Sequence, residues 1–507
     1  MRATGRNSVD ATWNPVVGCT RLSEGCYACW SLRTMNRLSG RPEPALRDVY
    51  GGLVTPRADG GLDWTGIVRM LPERLEQPRH WGRPRRVYVC PQADLFHPQV
   101  PDEFIERVWG AMAACPQHTF LVLSKRVARM RAFLSTPGRV HAIAKACDAA
   151  QVDHDHDPEE QWRPIPGFEG YEASSHGRLR GRDGAILKTH ANPHTARESV
   201  TLWNRGEPKT MTVHQLVLIA HRPIAESANV ETCHRNGNKA DNRLANLRWG
   251  SRSDNHREAW RHNGTGGPCK LSFEEVEAIR AARQRNETQQ SIADRFGVAR
   301  SLISLIEHRH VWHGPDLPWP LPNVWLGVTA ENQRRADERI PELLATPAAV
   351  RWVSLEPLLG PIDLECLPGR LPHRVEVGTH NALSGEWWPA VGNAAEEHAT
   401  RERELPGLDL VIAGGESGGP PERRLVERCP DFSPAGAPLP DCDRCSGTGW
   451  APKPEALGWV RSLREQCTAA GVAWWFKGWA GPTAQSGGRL LEGRTWEQLP
   501  AAGGVRP

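Results

Sequence analysis

Six short apolar runs, each of four to six residues, constrain the fold of this 507-residue chain more than any other feature. Continuous runs of this length, rich in Val, Leu and Ile, are typical of strands that are buried on both faces of a parallel sheet. Helix-like stretches lie between them, and strand–helix alternation at this spacing predicts an α/β sheet or barrel. The runs span residues 87–90, 120–124, 324–328, 350–355, 408–413 and 473–476.

The alternation stops near residue 150 and resumes after the proline-rich segment 315–322. We therefore expect residues 1–150 and 319–507 to form the two halves of one α/β domain, with an inserted block at 151–318. The second half also carries a cysteine-containing loop insertion at 429–455.

Polar side chains follow the apolar runs on both sides of the block. In α/β barrels the functional site lies at the carboxyl ends of the strands, so these side chains are candidates for a shared site. For any one of them, a helix cap or a surface loop is the alternative interpretation. The candidates are Asp94, His97, Lys125, Glu356 and Glu416.

The basic excess of the chain is concentrated in the block. Residues 161–310 carry 23 Lys and Arg against 16 Asp and Glu, a net charge of +7, whereas the whole chain has +4 and the remainder therefore −3. A phosphate backbone favours such a surplus. No apolar run is long enough to span a bilayer and no secretion signal is visible, so we expect a cytoplasmic protein without a membrane partner.

The block contains histidine and asparagine residues in a characteristic order: His214, then Cys233-His234, then Asn242, then Asn255-His256. This order resembles that of HNH homing endonucleases, which cleave double-stranded DNA. Residues 161–189 resemble the small module that often precedes that nuclease, 198–262 its ββα-metal core, and 268–313 a helix–turn–helix.

The resemblance implies a catalytic group of His234, Asn242 and Asn255, with His234 as the general base. It also implies a divalent ion, Mg²⁺, bound by Asn255, His256 and the residue at position 233. Many relatives have Asp or Asn there, whereas this chain has Cys233, and a thiol is a poor ligand for Mg²⁺. The block is thus either an active nickase or an inactive remnant that still binds DNA.

The helix–turn–helix prediction identifies DNA contacts. Thr288 is the expected cap of its second helix and Gly297 its turn, so that 299–307 is the recognition helix. The alternative is a purely structural three-helix cap. Groove contacts are expected from Arg300, Ser301 and Ser304, and phosphate contacts from Arg295 and Arg309.

Three cysteines in an early loop, Cys19, Cys26 and Cys29, have the composition of a [4Fe–4S] ligand set that leaves one iron open for S-adenosylmethionine. The flanks resemble a phage-encoded, radical-SAM-like family with a three-cysteine motif, through stretches such as 94–104, 322–332 and 355–361. This resemblance implies a partial TIM-type barrel. The usual spacing between the first two cysteines is three residues and here it is six, so a zinc site is the alternative.

A second group, Cys429, Cys442 and Cys445, resembles a zinc-ribbon fragment. Cys467 and Cys366 are candidates for a fourth ligand, and free loop thiols are the alternative. Together the patterns predict a phage or prophage protein of a bacterial host that combines an endonuclease with a radical-SAM-like host domain. The competing interpretations are a nucleotide- or DNA-modifying enzyme with an inactive DNA-binding insert, and a non-catalytic DNA-binding protein.

Overall fold

The computed structural model describes residues 9–500, except 156–158, 205, 224–229, 253, 256–270, 272, 308–316, 370–377, 390–401, 404–405, 418–419, 432–441, 443, 446–447 and 484–485. Two compact units are present. The first, called the α/β unit, contains Met1–Val108, Cys115–Thr136 and Pro318–Pro507. The second, called the inserted unit, contains Trp109–Ala114 and Pro137–Leu317.

The described helices are α1 (Trp30–Ser39), α2 (Pro44–Tyr50), α3 (Asp102–Ala113), α4 (Val127–Ser135), α5 (Arg139–Asp155), α6 (Val213–His221), α7 (Phe273–Gln284), α8 (Gln289–Phe296), α9 (Arg300–Glu307), α10 (Gln333–Leu344) and α11 (Pro454–Ala469). None of them combines the length and the apolar character that a membrane crossing requires.

The strands of the first flank are β1 (Ala11–Trp13), β2 (Val16–Val17), β3 (Val54–Pro56), β4 (Leu62–Trp64), β5 (Arg69–Met70), β6 (Arg86–Val89) and β7 (Thr119–Ser124). Those between the flanks are β8 (Trp162–Pro164), β9 (Glu172–Ser174), β10 (Leu179–Arg180), β11 (His190–Ala191), β12 (Glu198–Asn204), β13 (Glu207–Thr212), β14 (Glu231–His234) and β15 (Leu247–Gly250). Those of the second flank are β16 (Val324–Thr329), β17 (Val350–Leu355), β18 (Leu367–Gly369), β19 (Gly378–His380), β20 (Glu386–Pro389), β21 (Glu402–Arg403), β22 (Leu410–Gly414), β23 (Val426–Arg428), β24 (Trp450–Pro452) and β25 (Ala473–Gly478).

One seven-stranded parallel sheet, in the order β1-β6-β7-β16-β17-β22-β25, is the centre of the α/β unit. Strands from both flanks contribute to it, and β7 pairs directly with β16. Each of the six apolar runs falls on a strand of this sheet, whereas β1 was not anticipated. The predicted α/β class is confirmed as a mixed α/β fold with a parallel half-barrel, in which β1 and β25 are the outer strands.

Side chains alternate between the two faces of this sheet, as the strand period of two requires. Leu121, Trp352, Ile412 and Trp475 share one face and form an apolar cluster with Leu410. Intervening residues such as Phe120, Val353 and Val411 are buried as well. Burial on both faces explains why the strands have no alternation of polar and apolar residues.

The inserted unit contains small antiparallel sheets, β10-β9-β8 and β11-β12-β13, and the hairpin β14-β15. The apolar helix α6 packs against strands of all three, and its residues Val213, Leu216 and Val217 are fully buried in the shared core. Helices α7, α8 and α9 enclose a separate core that includes Ile279, Ile292 and Ile303.

Candidate functional sites

His234 is the last residue of β14 and pairs with Leu247 across the hairpin. The connecting loop is fastened by Asn246, whose Oδ1 accepts from the backbone N–H of Asn236 at 2.9 Å and whose Nδ2 donates to the carbonyl of Asp241 at 2.8 Å. Asp241 in turn accepts from Asn236 Nδ2 at 2.8 Å. Side-chain bonds of this kind replace a regular turn and fix the position of the strand end.

The His234 imidazole is buried, with 7% of the residue exposed. Its Nε2 has no hydrogen-bond partner among the described residues, and its ring lies 5.0 Å from that of His214 at an angle of 69°. Burial, together with the charge of Arg197, lowers the pKa of His234 to about 4. Burial and His234 lower the pKa of His214 to about 3. Both rings are therefore neutral at pH 7, and His234 retains a free ring nitrogen.

Asn242 is buried beside this loop. Its Nδ2 donates to Glu198 Oε2 on β12 at 3.1 Å, whereas its Oδ1 has no partner in the described part of the chain. A Cβ at Gly177, whose φ is +85°, would lie 2.8 Å from the Asn242 backbone. Asn242 thus joins the loop to the neighbouring sheet, and none of its described hydrogen bonds reaches His234.

Of the predicted metal ligands, Cys233 is next to His234 on β14, whereas Asn255 lies near the first residue of that strand. Asn255 donates its side-chain N–H to Glu231 Oε2 at 2.6 Å. Cys233 is fully buried against Gly250, where an added Cβ would lie 2.8 Å from its sulfur. Glu231 and Cys233 share one face of β14 and His234 the opposite one. His256 lies outside the described residues. Glu231 was not singled out from the sequence, because its approach to Asn255 depends on a chain reversal.

Four of the five predicted DNA-contacting residues are described, and they lie on two short helices, α8 and α9. Thr288 accepts a hydrogen bond from the backbone N–H of Ser291 and caps α8, and Gly297 adopts the left-handed conformation at its end, as expected. Arg300 and Ser301 are exposed at the start of α9, and Ser304 is half-buried on the same helix. Arg295 forms an ion pair with Glu287. Arg309 lies outside the described residues.

A cavity of about 570 Å³ opens at the carboxyl ends of the strands in the α/β unit. Cys19, Cys26 and Cys29, called the cavity triad, all line it, and so do four of the five predicted barrel-site residues: Asp94, Lys125, Glu356 and Glu416. The fifth, His97, is buried behind the wall, where its Nε2 forms a hydrogen bond with Thr20 Oγ1 at 2.9 Å.

Glu331 organises the loop that carries the cavity triad. Its fully buried carboxylate accepts from Lys125 Nζ at 2.7 Å and from Arg339 Nη1 at 2.8 Å. It also accepts from the Ser23 hydroxyl and, at 3.2 Å, from the backbone N–H of Gly25. Although burial opposes ionisation, Lys125 and Arg339 hold the pKa of Glu331 at about 2. The sequence indicated Glu331 only as one polar residue after a strand.

Cationic side chains contact two thiols of the cavity triad. Lys125 Nζ lies 3.7 Å from Cys26 Sγ, and Arg126 Nη1 lies 3.8 Å from Cys19 Sγ and 3.1 Å from Asp94 Oδ2. Burial raises the pKa of Cys19 to about 12 and also raises that of Cys29. Burial acts the same way on Cys26, but the charge of Lys125 and backbone N–H groups outweigh it and lower its pKa.

Two further carboxylates line the cavity, each next to a cation. Glu356 Oε1 lies 3.1 Å from Lys477 Nζ, and Glu416 Oε2 lies 3.1 Å from Arg423 Nε. Burial raises the pKa of Glu416. The cavity therefore presents both carboxylates and cations to any polar molecule that enters it.

Cys429, Cys442 and Cys445, called the hairpin triad, have their sulfur atoms within 4.8 Å of one another. Cys429 directly follows β23, and Cys442 and Cys445 precede β24; the two strands form a hairpin whose connecting segment falls within the predicted loop insertion. Among the described residues, no other group of three or more His, Cys, Asp or Glu has its ligand atoms this close together. The group contains neither Cys366 nor Cys467.

Comparison with known proteins identifies two classes of domain in the chain. Residues 212–257 match the HNH endonuclease family and residues 160–206 match the NUMOD4 motif, which confirms the endonuclease resemblance. The chain belongs to the family described as protein of unknown function (DUF5131), which matches residues 4–162, 275–428 and 445–500.

The endonuclease part is similar to the DNA endonuclease I-HmuI of Bacillus phage SP01, with 35% identity over 91 residues, 18% of this chain and 51% of that protein. The chain therefore spans about half the length of this curated relative. A solved structure of DNA binding and cleavage by the HNH homing endonuclease I-HmuI aligns with 30% of this chain and 93% of that chain, at 24% identity. The TM-score of 0.19 is too low to carry a structural argument.

Proposed function

We propose that the block at 151–318 is an HNH homing endonuclease cassette that nicks or cleaves double-stranded DNA with a divalent metal ion. The observation that carries this proposal is the neutral, buried His234, whose Nε2 has no partner among the described residues. A general base needs an unprotonated nitrogen within reach of the attacking water, and a positioned base of this kind contributes about 10²–10⁴-fold to a hydrolysis rate. The fastened loop 235–246 supports the role because it fixes the imidazole in place.

The hairpin supplies a carboxylate, which is a better ligand for a divalent ion than the Cys233 thiol predicted from the sequence. Mg²⁺ is commonly bound through one or two carboxylates, with water and substrate phosphate completing its shell. Glu231 supplies a carboxylate, and Asn255 holds it through Nδ2 while its own Oδ1 can still ligate. We therefore add Glu231 to the predicted ligands Asn255, His256 and Cys233. When bound, the ion would stabilise the charge that develops on the phosphate and the leaving oxygen.

Nicking of supercoiled plasmid that contains the uninterrupted host gene tests this function in the full-length chain with MgCl₂. We expect His234→Ala to lower the rate by at least about 10²-fold, whereas the matched change His194→Ala, at an exposed turn residue, leaves it unchanged. Glu231→Gln should raise the Mg²⁺ concentration for half-maximal nicking by about tenfold or more, with exposed Glu207→Gln as its control. Absence of Mg²⁺-dependent nicking in wild-type protein that still binds DNA would identify the block as an inactive remnant.

The DNA contacts of the cassette belong to the same proposal. We assign α7–α9 as a helix–turn–helix, with Arg300, Ser301 and Ser304 on the groove side and Arg309 at phosphates. The exposure of Arg300 and Ser301 supports this assignment. Because Arg295 is already paired with Glu287, we expect Arg300→Ala to weaken DNA binding more than Arg295→Ala. If both substitutions had equal, negligible effects on DNA binding, the alternative of a purely structural three-helix cap would be favoured.

A second function is favoured by the cavity. We propose that the cavity triad holds a [4Fe–4S] cluster and that Asp94, Lys125, Glu356 and Glu416 bind S-adenosylmethionine or a substrate. The three sulfurs lack the compact arrangement that a shared zinc ion needs, whereas in a cluster each thiolate binds a different iron. Lys125 and Arg126 offset the negative charge of such a cluster. The bound cluster would supply the electron for reductive cleavage of S-adenosylmethionine.

Anaerobic purification and reconstitution test this second function. We expect about four irons per chain and absorbance near 400 nm in wild-type protein and in Cys366→Ala, and neither in Cys26→Ala. Zinc in place of iron, retained by Cys366→Ala and lost in Cys26→Ala, would support the zinc alternative instead.

A further inference from the structure

The hairpin triad is built by an antiparallel stem. Strand β23 pairs with β24 through Val426–Pro452, Glu427–Ala451 and Arg428–Trp450. The ladder continues for one step, since the backbone N–H of Cys429 donates to the carbonyl of Gly449 at 3.1 Å. This pairing places Cys429 opposite Gly449, four residues after Cys445.

The distances between the sulfurs match shared metal coordination. Cys429 Sγ and Cys442 Sγ lie 3.6 Å apart, and Cys429 and Cys445 are buried. A disulfide would require about 2.05 Å, whereas two thiolates bound to one tetrahedral zinc ion at about 2.3 Å each lie about 3.8 Å apart. The separation of Cys429 and Cys442 is therefore close to the one that a shared zinc ion imposes, and Cys445 Sγ lies within 4.8 Å of both.

We propose that Cys429, Cys442 and Cys445 bind one structural Zn²⁺ ion, with Asp431 as the fourth ligand. The carboxylate of Asp431 lies beside the triad, with Oδ2 at 4.0 Å from Cys442 Sγ, although it is not within 4.8 Å of all three sulfurs and must move to complete the site. Its present partner is the exposed Arg444, at 3.5 Å, and a surface ion pair of this length is weak enough to be exchanged for a metal bond. Two other cysteines, the fully buried Cys467 on α11 and the exposed Cys366, do not belong to this group.

Most of the zinc site lies outside the segments that match the family, and neither proposed function uses it. The family match ends at residue 428 and resumes at 445, so that Cys429 and Cys442 lie outside it. The hairpin nevertheless packs against the segment that follows β25. A Cβ at Gly487 would lie 3.0 Å from Val426 Cγ1 and 2.2 Å from the carbonyl oxygen of Ala480, which lines the cavity. A metal ion that fixes the hairpin would therefore also stabilise one wall of the cavity.

Thiol protection in the unaltered full-length chain tests the site without any substitution. Protein loaded with ZnCl₂ and protein stripped with a chelator are alkylated with iodoacetamide, and each cysteine is quantified by mass spectrometry. We expect zinc to slow labelling of Cys429, Cys442 and Cys445 by at least about tenfold, and to leave exposed Cys366 unchanged. Equal labelling of the three thiols in both samples would overturn the proposal.

Metal content of variants tests the ligand set. Zinc bound after loading and gel filtration should fall by about one equivalent in Cys442→Ser relative to Cys366→Ser. Asp431→Asn, a change at an exposed residue, should keep the fold and lower the zinc affinity by about tenfold or more. An unchanged zinc content in Cys442→Ser, or iron in place of zinc at these thiols, would contradict a zinc site, and an unchanged affinity in Asp431→Asn would remove Asp431 from it.

Discussion

Two cysteine triads in the same α/β unit have opposite surroundings. The sulfurs of the hairpin triad lie within 4.8 Å of one another, and their nearest polar contacts are with each other and with local backbone N–H groups. The cavity triad is spread along the wall of a cavity of about 570 Å³, and two cations from the loop after β7, Lys125 and Arg126, contact Cys26 and Cys19. The first arrangement suits one small ion, and the second a larger group that must remain accessible.

The difference extends to what holds each triad in place. The cavity loop is fixed by protein charges, chiefly the buried Glu331 with Lys125 and Arg339. The hairpin has a stem of three residue pairs, and its thiols come from segments that are twelve residues apart in sequence. Cysteine spacing alone does not distinguish these cases, whereas the charges around each triad do. Four predictions test the contrast.

The largest effect is expected from Glu331→Gln. The substitution leaves the buried Arg339 and the half-buried Lys125 without their carboxylate. Breaking a buried pair in this way costs about 3–5 kcal/mol. The measurement is the free energy of unfolding of metal-free protein in urea. Glu338→Gln is the matched control, because its exposed ion pairs with Arg334 and Arg335 are worth at most about 1 kcal/mol. Similar small losses in both variants would show that Glu331 does not hold the cavity loop.

Lowering the pH should reproduce part of this loss in the free energy of unfolding. The pKa of Glu331 is about 2 in the folded protein and its ordinary value is 4.5, so that folding favours the ionised form. The resulting stability is fully present above pH 4.5 and is lost as the pH falls towards 2. At about 1.4 kcal/mol per pKa unit, the contribution is about 3 kcal/mol. Unfolding measured across this window should show a smaller slope for Glu331→Gln than for wild type, and equal slopes would contradict the assignment.

The sheet was predictable from sequence because its strands are continuous apolar runs of four to six residues, and burial on both faces leaves a local signature. Strand β1 was missed, since Ala11–Trp13 has only three residues and includes a threonine. The half-barrel positions of Asp94, Lys125, Glu356 and Glu416 followed from a general rule on strand ends. The central role of Glu331 could not be predicted from the sequence, because Ser23, which contacts it, lies 308 residues away in the chain.

In the inserted unit, the motif located His234 and Asn255, and their residue types indicated the chemistry. The partners of these residues could not be read from spacing. Asn242, predicted to belong to one catalytic group with His234, donates instead to Glu198, 44 residues earlier in the chain. Glu231 meets Asn255 only because the hairpin and the following segment reverse direction. Local patterns thus identified the candidate residues, whereas the hydrogen bonds that position them depend on tertiary structure.

The third prediction concerns thiol reactivity after all metal is removed. In each triad one thiol has a lowered pKa: Cys26, where Lys125 outweighs the effect of burial, and Cys442, which accepts backbone N–H bonds. Burial raises the pKa of Cys19 to about 12 and that of Cys429 to about 11. Because the thiolate is the nucleophile, we expect iodoacetamide to label Cys26 faster than Cys19, and Cys442 faster than Cys429, by about tenfold.

Lys125→Met distinguishes a thiol pKa that is lowered by a side-chain cation from one that is lowered by backbone N–H groups. It should slow labelling of Cys26 and leave Cys442 unchanged, because only Cys26 depends on a side-chain cation. Parallel slowing at both thiols would indicate a general change in folding, and would remove the electrostatic distinction between the triads.

The smallest effect is expected at the rim of the cavity loop, from Arg335→Ala. Arg335 holds Glu24 through two contacts, Nε to Oε2 at 3.0 Å and Nη2 to Oε1 at 3.1 Å, but the Glu24 side chain is 46% exposed. An exposed pair of this kind contributes at most about 1 kcal/mol. Unfolding in urea should therefore change little, and reconstituted protein should keep the iron content of wild type. If Arg335→Ala instead destabilised the protein as much as Glu331→Gln and released the iron, the cavity loop would be held at its exposed rim. The contrast between a triad fixed by buried protein charge and one fixed by a metal ion would then no longer hold.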